Sequence, residues 1–145
     1  MTTPIYPCLW FNNQAEEAAN FYCSVFPDSK VLSASPAESP MALMAEINKS
    51  KVLLLNGRAN FNFTEAVSLV VNCETQSDID NYWDKLLQGG GKEGMCGWLK
   101  DKYGLSWQIV PDVLPQLMSD PSRAQRVTEA FMKMKKFDIE TLLKA

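Results

Sequence analysis

The sequence predicts an α+β fold in which two related β-α-β-β-β modules are followed by a helical tail. Two observations support this prediction: the same order of strand and helix patterns occurs twice in 145 residues, and the two copies share residue identities at a constant spacing. A chain of this length suits one domain. We therefore expect a single domain over residues 1–145, with module one at 4–57, module two at 65–111 and the tail at 112–145.

The repeat is visible in the helices of the two modules. Residues 20–22 read Asn-Phe-Tyr, and residues 81–83, which lie 61 positions later, read Asn-Tyr-Trp. The same offset places Pro7 opposite Ser68 in the preceding strands. A shared offset for strand and helix is typical of a duplicated unit.

Module one alternates short apolar runs with turn residues. Asn12-Asn13 offers a helix cap, and Pro27-Asp28 ends the helix, whose apolar positions recur at helical spacing. A turn is expected at residues 36–40. The strands of this module are predicted at residues 5–11, 30–35, 41–48 and 51–56.

Module two follows the same order. Thr75 or Ser77 caps its helix, and Gly89-Gly90-Gly91 ends it, because glycine adopts the left-handed conformation without strain. Tyr103-Gly104 is expected to form the last hairpin turn. The strands are predicted at residues 66–73, 94–96, 98–102 and 105–110.

The tail carries a further apolar stripe. Asp120-Pro121 is predicted to begin a helix, and a last short helix continues the stripe. The core of the modules is complete by about Val110, so the stripe has to cover the outer sheet surface or a second chain. We favour a partner subunit, which predicts a homodimer. The residues of the stripe are Ala124, Val127, Phe131 and Met134, followed by Ile139, Leu142 and Leu143.

Composition and charge restrict the class of protein. The chain is 46% hydrophobic and 21% charged, with a net charge of −3, so we expect no nucleic-acid partner and no anionic membrane surface. It has no apolar stretch of membrane-spanning length and no basic-then-apolar segment at the N-terminus. Its four cysteines form no C-x-x-C pair and are interpreted as reduced thiols. These features predict a cytoplasmic protein.

The sequence contains no histidine. Histidine is the usual general base near neutral pH and the commonest ligand of transition metals. Its absence excludes Ser-His-Asp and Cys-His catalysis within this chain, as well as any two-histidine metal site.

A long tryptophan-rich segment, CGWLKDKYGLSWQIVP, closes the second module at residues 96–111. With shorter segments, it resembles the PhnB-like branch of the vicinal-oxygen-chelate superfamily, which includes glyoxalases, bleomycin-resistance proteins and extradiol dioxygenases. The branch is often labelled 3-demethylubiquinone-9 3-methyltransferase. The shorter matching segments are residues 7–11, 14–18, 21–22, 25–27, 56–57, 63 with 65–68, 82–86, 125–127 and 132–136.

The resemblance implies that each module curls its strands into half of a cup, with the helix on the convex side. The cup of such proteins usually holds the active site, and many members are dimers. The label of the branch implies methyl transfer. The glycine cluster at residues 89–91 follows a helix, however, so it is interpreted as a helix end and not as a cofactor cradle.

Metal-dependent members of the superfamily place ligands on the first and last strand of each module. Transferred to this sequence, those positions fall on Pro7, Ser68, Gln108, and either Leu54 or Asn56. Proline has no ligating side chain and none of these residues is an anion, so a divalent cation would lack donors and charge compensation. We expect no metal and no cofactor.

The remaining polar groups suggest a binding site for a small molecule. Ser68, Gln108 and Asn56 would orient a ligand by hydrogen bonds, Trp98 would be either a ligand platform or a core residue, and Lys102 would meet an anionic ligand or be a solvated turn residue. Strand alternation puts Ser106, Gln108 and Val110 on one face, opposite Leu105, Trp107 and Ile109. Cys8 and Cys96 are interpreted as packing residues, since no histidine can activate them.

The leading interpretation is a metal-free small-molecule-binding protein of undetermined activity. Two alternatives stay open. One is a metal-independent isomerase, lyase or transferase that uses Gln108, Ser68 or a cysteine. The other is an oligomeric scaffold with a vestigial pocket.

Overall fold

The computed structural model describes residues 4–36 and 40–145 of the chain. It confirms the predicted α+β fold, with two four-stranded mixed sheets, a helix in each module and helices at the C-terminus. The chain divides into two compact units, Met1–Asn62 and Phe63–Ala145. The turn predicted at 36–40 falls largely on residues 37–39, which lie outside the described residues.

The first unit contains one helix and one sheet. The strand order is β1-β4-β3-β2, with β1 parallel to β4 and the other pairs antiparallel. Helix α1 packs on one face of this sheet, where its Tyr22 is buried with Leu9 and Leu54 of the strands. The elements are β1 (Cys8–Phe11), α1 (Ala15–Val25), β2 (Lys30–Ala34), β3 (Ala42–Ile47) and β4 (Ser50–Asn56).

The start of α1 differs from the sequence prediction. Its N-cap is Gln14 instead of the predicted Asn12-Asn13, and the Gln14 side chain makes no capping hydrogen bond. Asn13 adopts a left-handed conformation with φ of 62°. The Oδ1 atom of Asn56, at the end of β4, instead accepts the hydrogen bond from the Ala15 amide at 2.8 Å. A neighbouring strand therefore supplies the cap that local sequence was expected to provide.

The second unit repeats this arrangement. Its strand order is β5-β8-β7-β6, again with the first and last strands parallel and the other pairs antiparallel. The strand predicted at 94–96 is wrong, because residues 94–97 form a turn in which the Gly94 amide donates to the Trp98 carbonyl. The elements are β5 (Ser68–Cys73), α2 (Gln76–Leu87), β6 (Lys92–Glu93), β7 (Trp98–Lys100) and β8 (Ser106–Pro111).

Both ends of α2 follow the sequence prediction. Thr75 is the N-cap, and its hydroxyl accepts a hydrogen bond from the Asp78 amide. After the C-cap, Gly89 and Gly90 have φ of 85° and 123°, a conformation that favours glycine. The helix buries Ile79, Trp83 and Leu86.

The hairpin between β7 and β8 is organised around Asp101, a buried carboxylate. Its Oδ1 accepts hydrogen bonds from the backbone amides of Tyr103 and Leu105 at 2.9 and 3.1 Å, and its Oδ2 accepts one from Trp107 Nε1 at 2.9 Å. These bonds fix the turn predicted at Tyr103-Gly104 and hold the two strands of the candidate site in register.

The two modules are related by an offset that differs between strand and helix. The helices keep the predicted spacing of 61, since the buried Tyr22 and Trp83 correspond. In the strands, Phe11 and Cys73 correspond, because each accepts a hydrogen bond from the residue after its module's last strand, Gly57 or Asp112. Phe11 and Cys73 are 62 positions apart.

The predicted equivalence of Pro7 and Ser68 is therefore wrong by one residue. The connection from β1 to α1 has one residue more than that from β5 to α2, and a one-residue shift moves every strand side chain to the other face. The position equivalent to Ser68 is Tyr6. Gln108 corresponds to Leu53, because Asn56 and Pro111 both end the last strand of their module.

The tail forms three short helices, α3 (Leu114–Met118), α4 (Ala124–Phe131) and α5 (Ile139–Lys144). Helix α3 was not predicted, and α4 begins at Ala124 and not at the predicted Asp120-Pro121. The Asp120 carboxylate does not cap the helix. It accepts hydrogen bonds from the amide and the hydroxyl of Ser122, in a turn that precedes the helix.

The apolar stripe of the tail is buried only in part within its own unit. Val127, Phe137 and Leu142 are almost fully buried in the single chain. The other stripe residues stay partly or largely exposed, so a partner subunit over the stripe, and the homodimer it implies, remain predictions; these residues are Ala124, Phe131, Met134, Ile139 and Leu143. None of the described helices is long and apolar enough to cross a membrane.

Specific hydrogen bonds fasten the tail to α2 and to the turn before β7. The Gln76 side chain donates to the Phe137 carbonyl and accepts from the Ile139 amide, and the Gly97 amide donates to the Lys135 carbonyl. Gly97 has φ of 81°, and a Cβ atom there would lie 2.4 Å from the Phe137 ring. Glycine is thus required at this contact.

Candidate functional site

The second sheet has one face that α2 does not cover. Alternation along β8 buries Trp107 and Ile109 and leaves Gln108 half-exposed on the opposite side, as the sequence predicted. Strand β7 alternates in the same way around the buried Leu99. We call the side of the sheet that carries Gln108 the open face.

Strand register sets a row of polar residues across this open face. Lys92 pairs with Lys100, Lys100 with Ser106, and Ser106 with Ser68. Side chains directly opposite one another share a face, with Cβ atoms about 4.5–5.5 Å apart. We call this set the lysine–serine row. It places two lysine and two serine residues side by side.

A second row runs parallel to the first. Its residues lie two positions before Lys100 in β7 and two positions after Ser106 in β8. It contains Trp98 paired with Gln108, and Gln108 paired with Val70. Gln108 Nε2 donates a 2.9 Å hydrogen bond to Ser68 Oγ and so joins the two rows. The structure thus brings together Gln108, Ser68 and Trp98, three of the residues predicted for the site.

A cavity of about 300 Å³ lies against these rows. This volume is at the lower end of the range that small-molecule sites occupy. The cavity combines one aromatic side chain with two lysines, two glutamates and a serine. Its lining residues are Glu65, Lys92, Glu93, Gly94, Trp98, Leu99, Lys100 and Ser106.

Ser106 is the most distinctive group in the cavity wall. Its residue is 1% exposed, and its hydroxyl is buried with no hydrogen-bond partner among the described residues. A buried polar group without a partner costs about 1–3 kcal/mol. A ligand atom that exchanged a hydrogen bond with this hydroxyl would remove that cost.

Glu65 and Lys100, which both line the cavity, form an ion pair. The Glu65 side chain is 62% exposed and that of Lys100 38% exposed. The hydrogen bond from Lys100 is the main cause that lowers the pKa of Glu65, with a further contribution from the charge of Lys100. The Glu65 carboxylate is therefore charged at neutral pH.

Of the five predicted site residues, Trp98 alone lines the cavity. Ser68 and Gln108 lie beside it on the open face, and the other two lie elsewhere. Lys102 is in the β7–β8 turn, where its Nζ lies 5.3 Å from the centre of the Tyr103 ring, and it does not line the cavity. Asn56 belongs to the first unit. Its side chain caps α1 through Ala15 and donates to the Pro40 carbonyl, so its amide serves the fold.

Three of the four cysteines have a raised pKa. Burial raises the pKa of Cys8 and of Cys23. Burial, together with the charges of Asp78 and Asp112, raises the pKa of Cys73 to about 11. Because the thiolate is the reactive form, the raised pKa makes Cys8 less reactive, but its side chain is exposed and is not the packing residue that the sequence predicted.

The metal-ligand positions implied by the family resemblance do not fit a divalent cation. In the second module they hold the Ser68 hydroxyl and the Gln108 amide, which bond to each other. After the register correction, the first module offers Tyr6 and Leu53, so none of the four is a carboxylate, imidazole or thiolate. Within residues 4–36 and 40–145, no group of three or more histidine, cysteine, aspartate or glutamate side chains is arranged to hold a metal ion.

Sequence reasoning missed Lys92, Lys100, Glu65 and Ser106 as parts of a site. Alternation outward from Gln108 does place Ser106 on the same face. The register that pairs Ser106 with Lys100 and Lys92 depends on the hairpin lengths, which the sequence alone did not determine.

Comparison with known proteins agrees with the resemblance carried by the tryptophan-rich segment. The sequence model of the 3-demethylubiquinone-9 3-methyltransferase family matches residues 3–110. A PhnB protein from Bacillus cereus, described as a candidate 3-demethylubiquinone-9 3-methyltransferase, is 34% identical in sequence. Its structure has a TM-score of 0.69, and the match covers 75% of this chain and 99% of that one.

More distant structures share the fold alone. The fosfomycin resistance protein FosX from Mesorhizobium loti is 13% identical with a TM-score of 0.62, and the match covers 83% of this chain and 99% of that one. FosX from Listeria monocytogenes is 10% identical with a TM-score of 0.57, with coverage of 76% and 91%. No curated protein matches the sequence.

Proposed function

The chain belongs to the 3-demethylubiquinone-9 3-methyltransferase (PhnB-like) family, and from this premise we propose that it is a small-molecule-binding protein whose ligand lies on the open face of the second sheet. The single observation that supports this most is Ser106, a residue of the cavity wall whose buried hydroxyl has no hydrogen-bond partner among the described residues. An unsatisfied polar group inside a concave, partly aromatic site is what a binding protein keeps for its ligand.

The neighbouring groups suit the same role. Trp98 offers an aromatic surface beside the cavity, and Gln108 and Ser68 form a hydrogen-bonded pair at its side. The β7–β8 hairpin that carries Trp98, Lys100 and Ser106 is held by the buried Asp101. Binding groups on a rigid hairpin lose little entropy when a ligand is bound.

Binding without a metal ion is part of this proposal. It is supported by the donor set at the family's ligand positions, where Leu53 cannot ligate and Ser68 and Gln108 bond to each other. Chelation with EDTA should therefore leave ligand binding unchanged. Binding that is lost on chelation and restored by a divalent cation would contradict this part.

Amide chemical shifts test the location of the site. We would titrate the labelled protein with phenylacetate, phenylacetamide and 2-phenylethanol, which share a ring and differ in the polar group. The proposal expects at least one of them to shift the amides of Gly94, Lys100 and Ser106. Shifts confined to other residues, or no shifts at millimolar concentrations, would overturn it.

A matched pair of variants tests the part played by the aromatic surface. Trp98→Leu should weaken binding of whichever probe shifts these amides. Phe61→Leu is the control, because Phe61 is an exposed aromatic residue of the first unit. Equal weakening by both variants would argue against a specific role of Trp98.

A further inference from the structure

We propose that the ligand carries an oxyanion, and that the Glu65 carboxylate competes with this oxyanion for Lys100. The inference rests on the proposed binding function and goes further, because it names the chemical class of the ligand and an internal competitor. The ligand would be a small acid with an aromatic or apolar body, and its oxyanion would lie on the lysine–serine row.

The first argument is the concentration of positive charge in this row. Lys92 and Lys100 are direct register partners on β6 and β7, and both line the cavity. Like charges directly opposite in a sheet repel each other and destabilise the pair. An oxyanion placed between the two ammonium groups would relieve this repulsion.

The second argument is the position of Ser106. It is the register partner of Lys100 on the other side, so Lys100 has a second ammonium group on one flank and a buried hydroxyl on the other. The hydroxyl has no partner among the described residues and can donate a hydrogen bond to an anionic oxygen. Charge-assisted hydrogen bonds of this type are among the stronger ones.

The third argument is that a carboxylate already binds there. Glu65 comes from a turn that precedes β5 and pairs with Lys100. This ion pair shows that Lys100 attracts a carboxylate. Because both side chains are substantially exposed, the pair contributes little stability and is easily replaced by a ligand that also reaches Ser106.

The row that contains Trp98 indicates the chemistry of the rest of the ligand. The Trp98 ring and the exposed Val70 side chain lie next to the lysine–serine row, two residues away along their strands. A ligand with its oxyanion on the first row would place its remaining atoms over this second row. An aromatic or apolar group matches these side chains.

Three probes with the same ring test the oxyanion class: phenylacetate, phenylphosphonate and the neutral phenylacetamide, each titrated in buffer of low ionic strength. At least one of the two acids should bind about tenfold or more tightly than the amide, as expected for a charge-assisted contact. The preferred acid then shows whether the site takes a carboxylate or a phosphonate. An amide that binds as tightly as both acids would overturn the inference while leaving the proposed function intact.

The competitor role of Glu65 is tested with Glu65→Gln. This variant should strengthen binding of the preferred acid severalfold and leave binding of phenylacetamide unchanged. Glu140→Gln is the matched control, because Glu140 also forms an exposed pair with a lysine, Lys144, outside the cavity. Unchanged or weaker acid binding in Glu65→Gln would overturn the competitor role.

Lysine variants complete the test. Lys100→Met should weaken acid binding about tenfold, and Lys92→Met serves as a second variant if Lys100→Met does not fold. Acid binding that survives both substitutions would contradict the inference. Failure of these three probes and of 2-phenylethanol to shift the cavity amides would overturn the proposed function as well.

Discussion

Trp107 donates a hydrogen bond from its indole Nε1 to the buried Oδ2 of Asp101, at 2.9 Å. The two residues connect the last strand to the turn before it. The other carboxylate oxygen of Asp101 accepts hydrogen bonds from two backbone amides, so this one carboxylate satisfies three donors. This hairpin carries Lys100 and Ser106, so its stability sets how well the candidate site is organised.

Replacing this carboxylate should destabilise the second unit. In Asp101→Asn, an NH₂ group faces one of the donors, which leaves a buried donor without an acceptor and should lower the free energy of unfolding by about 1–3 kcal/mol. Urea denaturation measures the loss. Asp112→Asn is the control, since Asp112 is exposed and should be near neutral. Equal effects of the two variants would contradict the role of Asp101.

Gly97 should tolerate no side chain. An Ala methyl would lie 2.4 Å from the Phe137 ring and 2.8 Å from the Ile109 carbonyl, at φ of 81°. The clash and the left-handed backbone together should cost more than about 2 kcal/mol. Gly104→Ala isolates the backbone effect, because Gly104 has φ of 87° with no atom within 4 Å of the added carbon. A Gly97 variant no less stable than the Gly104 variant would show that the tail does not pack tightly here.

Cysteine alkylation should follow exposure and pKa. With the pKa of Cys73 raised to about 11, only about one thiol in a thousand is ionised at pH 8, and the side chain is buried. Mass spectrometry after iodoacetamide treatment should find the exposed Cys8 modified before Cys73. In urea all four cysteines should react. Rapid native alkylation of Cys73 would contradict its burial.

The ion pair between Asp80 and Lys136 should make anchoring of the tail depend on pH. The hydrogen bond from Lys136, followed by that from Gln76, lowers the pKa of Asp80, and the bond to Asp80 raises the pKa of Lys136. The stabilising contribution of Asp80 is therefore complete above its ordinary pKa of 3.8 and disappears as the pH falls through its lower folded value. That of Lys136 is complete below 10.5 and disappears at higher pH.

Lys136→Met tests this pH dependence. The difference in free energy of unfolding from the parent protein should be below about 1 kcal/mol at neutral pH, because both side chains are partly exposed. It should shrink further below pH 3.8. Lys133→Met, at an exposed position, should show no such trend. A difference that grows in acid would have the wrong sign.

The elements that local patterns determine were predictable from the sequence. Thr75 caps α2 and the glycines at 89 and 90 end it, because these residues act through their own backbone neighbours. Alternation placed Trp107 and Gln108 on opposite faces of β8, since strand geometry fixes a period of two, and the structure buries the Trp107 face.

Features that depend on register or tertiary contact were not predictable in this way. One additional residue between β1 and α1 moved the equivalent of Ser68 from Pro7 to Tyr6. The amide of Asn56 caps α1 from a strand 41 residues away, which no local signal reveals. The lysine–serine row depends on the length of two hairpins, so Lys92, Lys100 and Ser106 could be brought together only by the structure.

Ser106→Ala tests the central claim most directly, through two quantities measured on the same variant. Removing an unsatisfied hydroxyl should leave the free energy of unfolding unchanged or raise it by up to about 1 kcal/mol. The same change should weaken binding of the preferred acid, phenylacetate or phenylphosphonate, about fivefold or more, because a ligand hydrogen bond is lost. Ser119→Ala, at an exposed hydroxyl outside the cavity, should alter neither quantity. A Ser106→Ala protein that is less stable, yet binds the acid as tightly as the parent, would contradict the account.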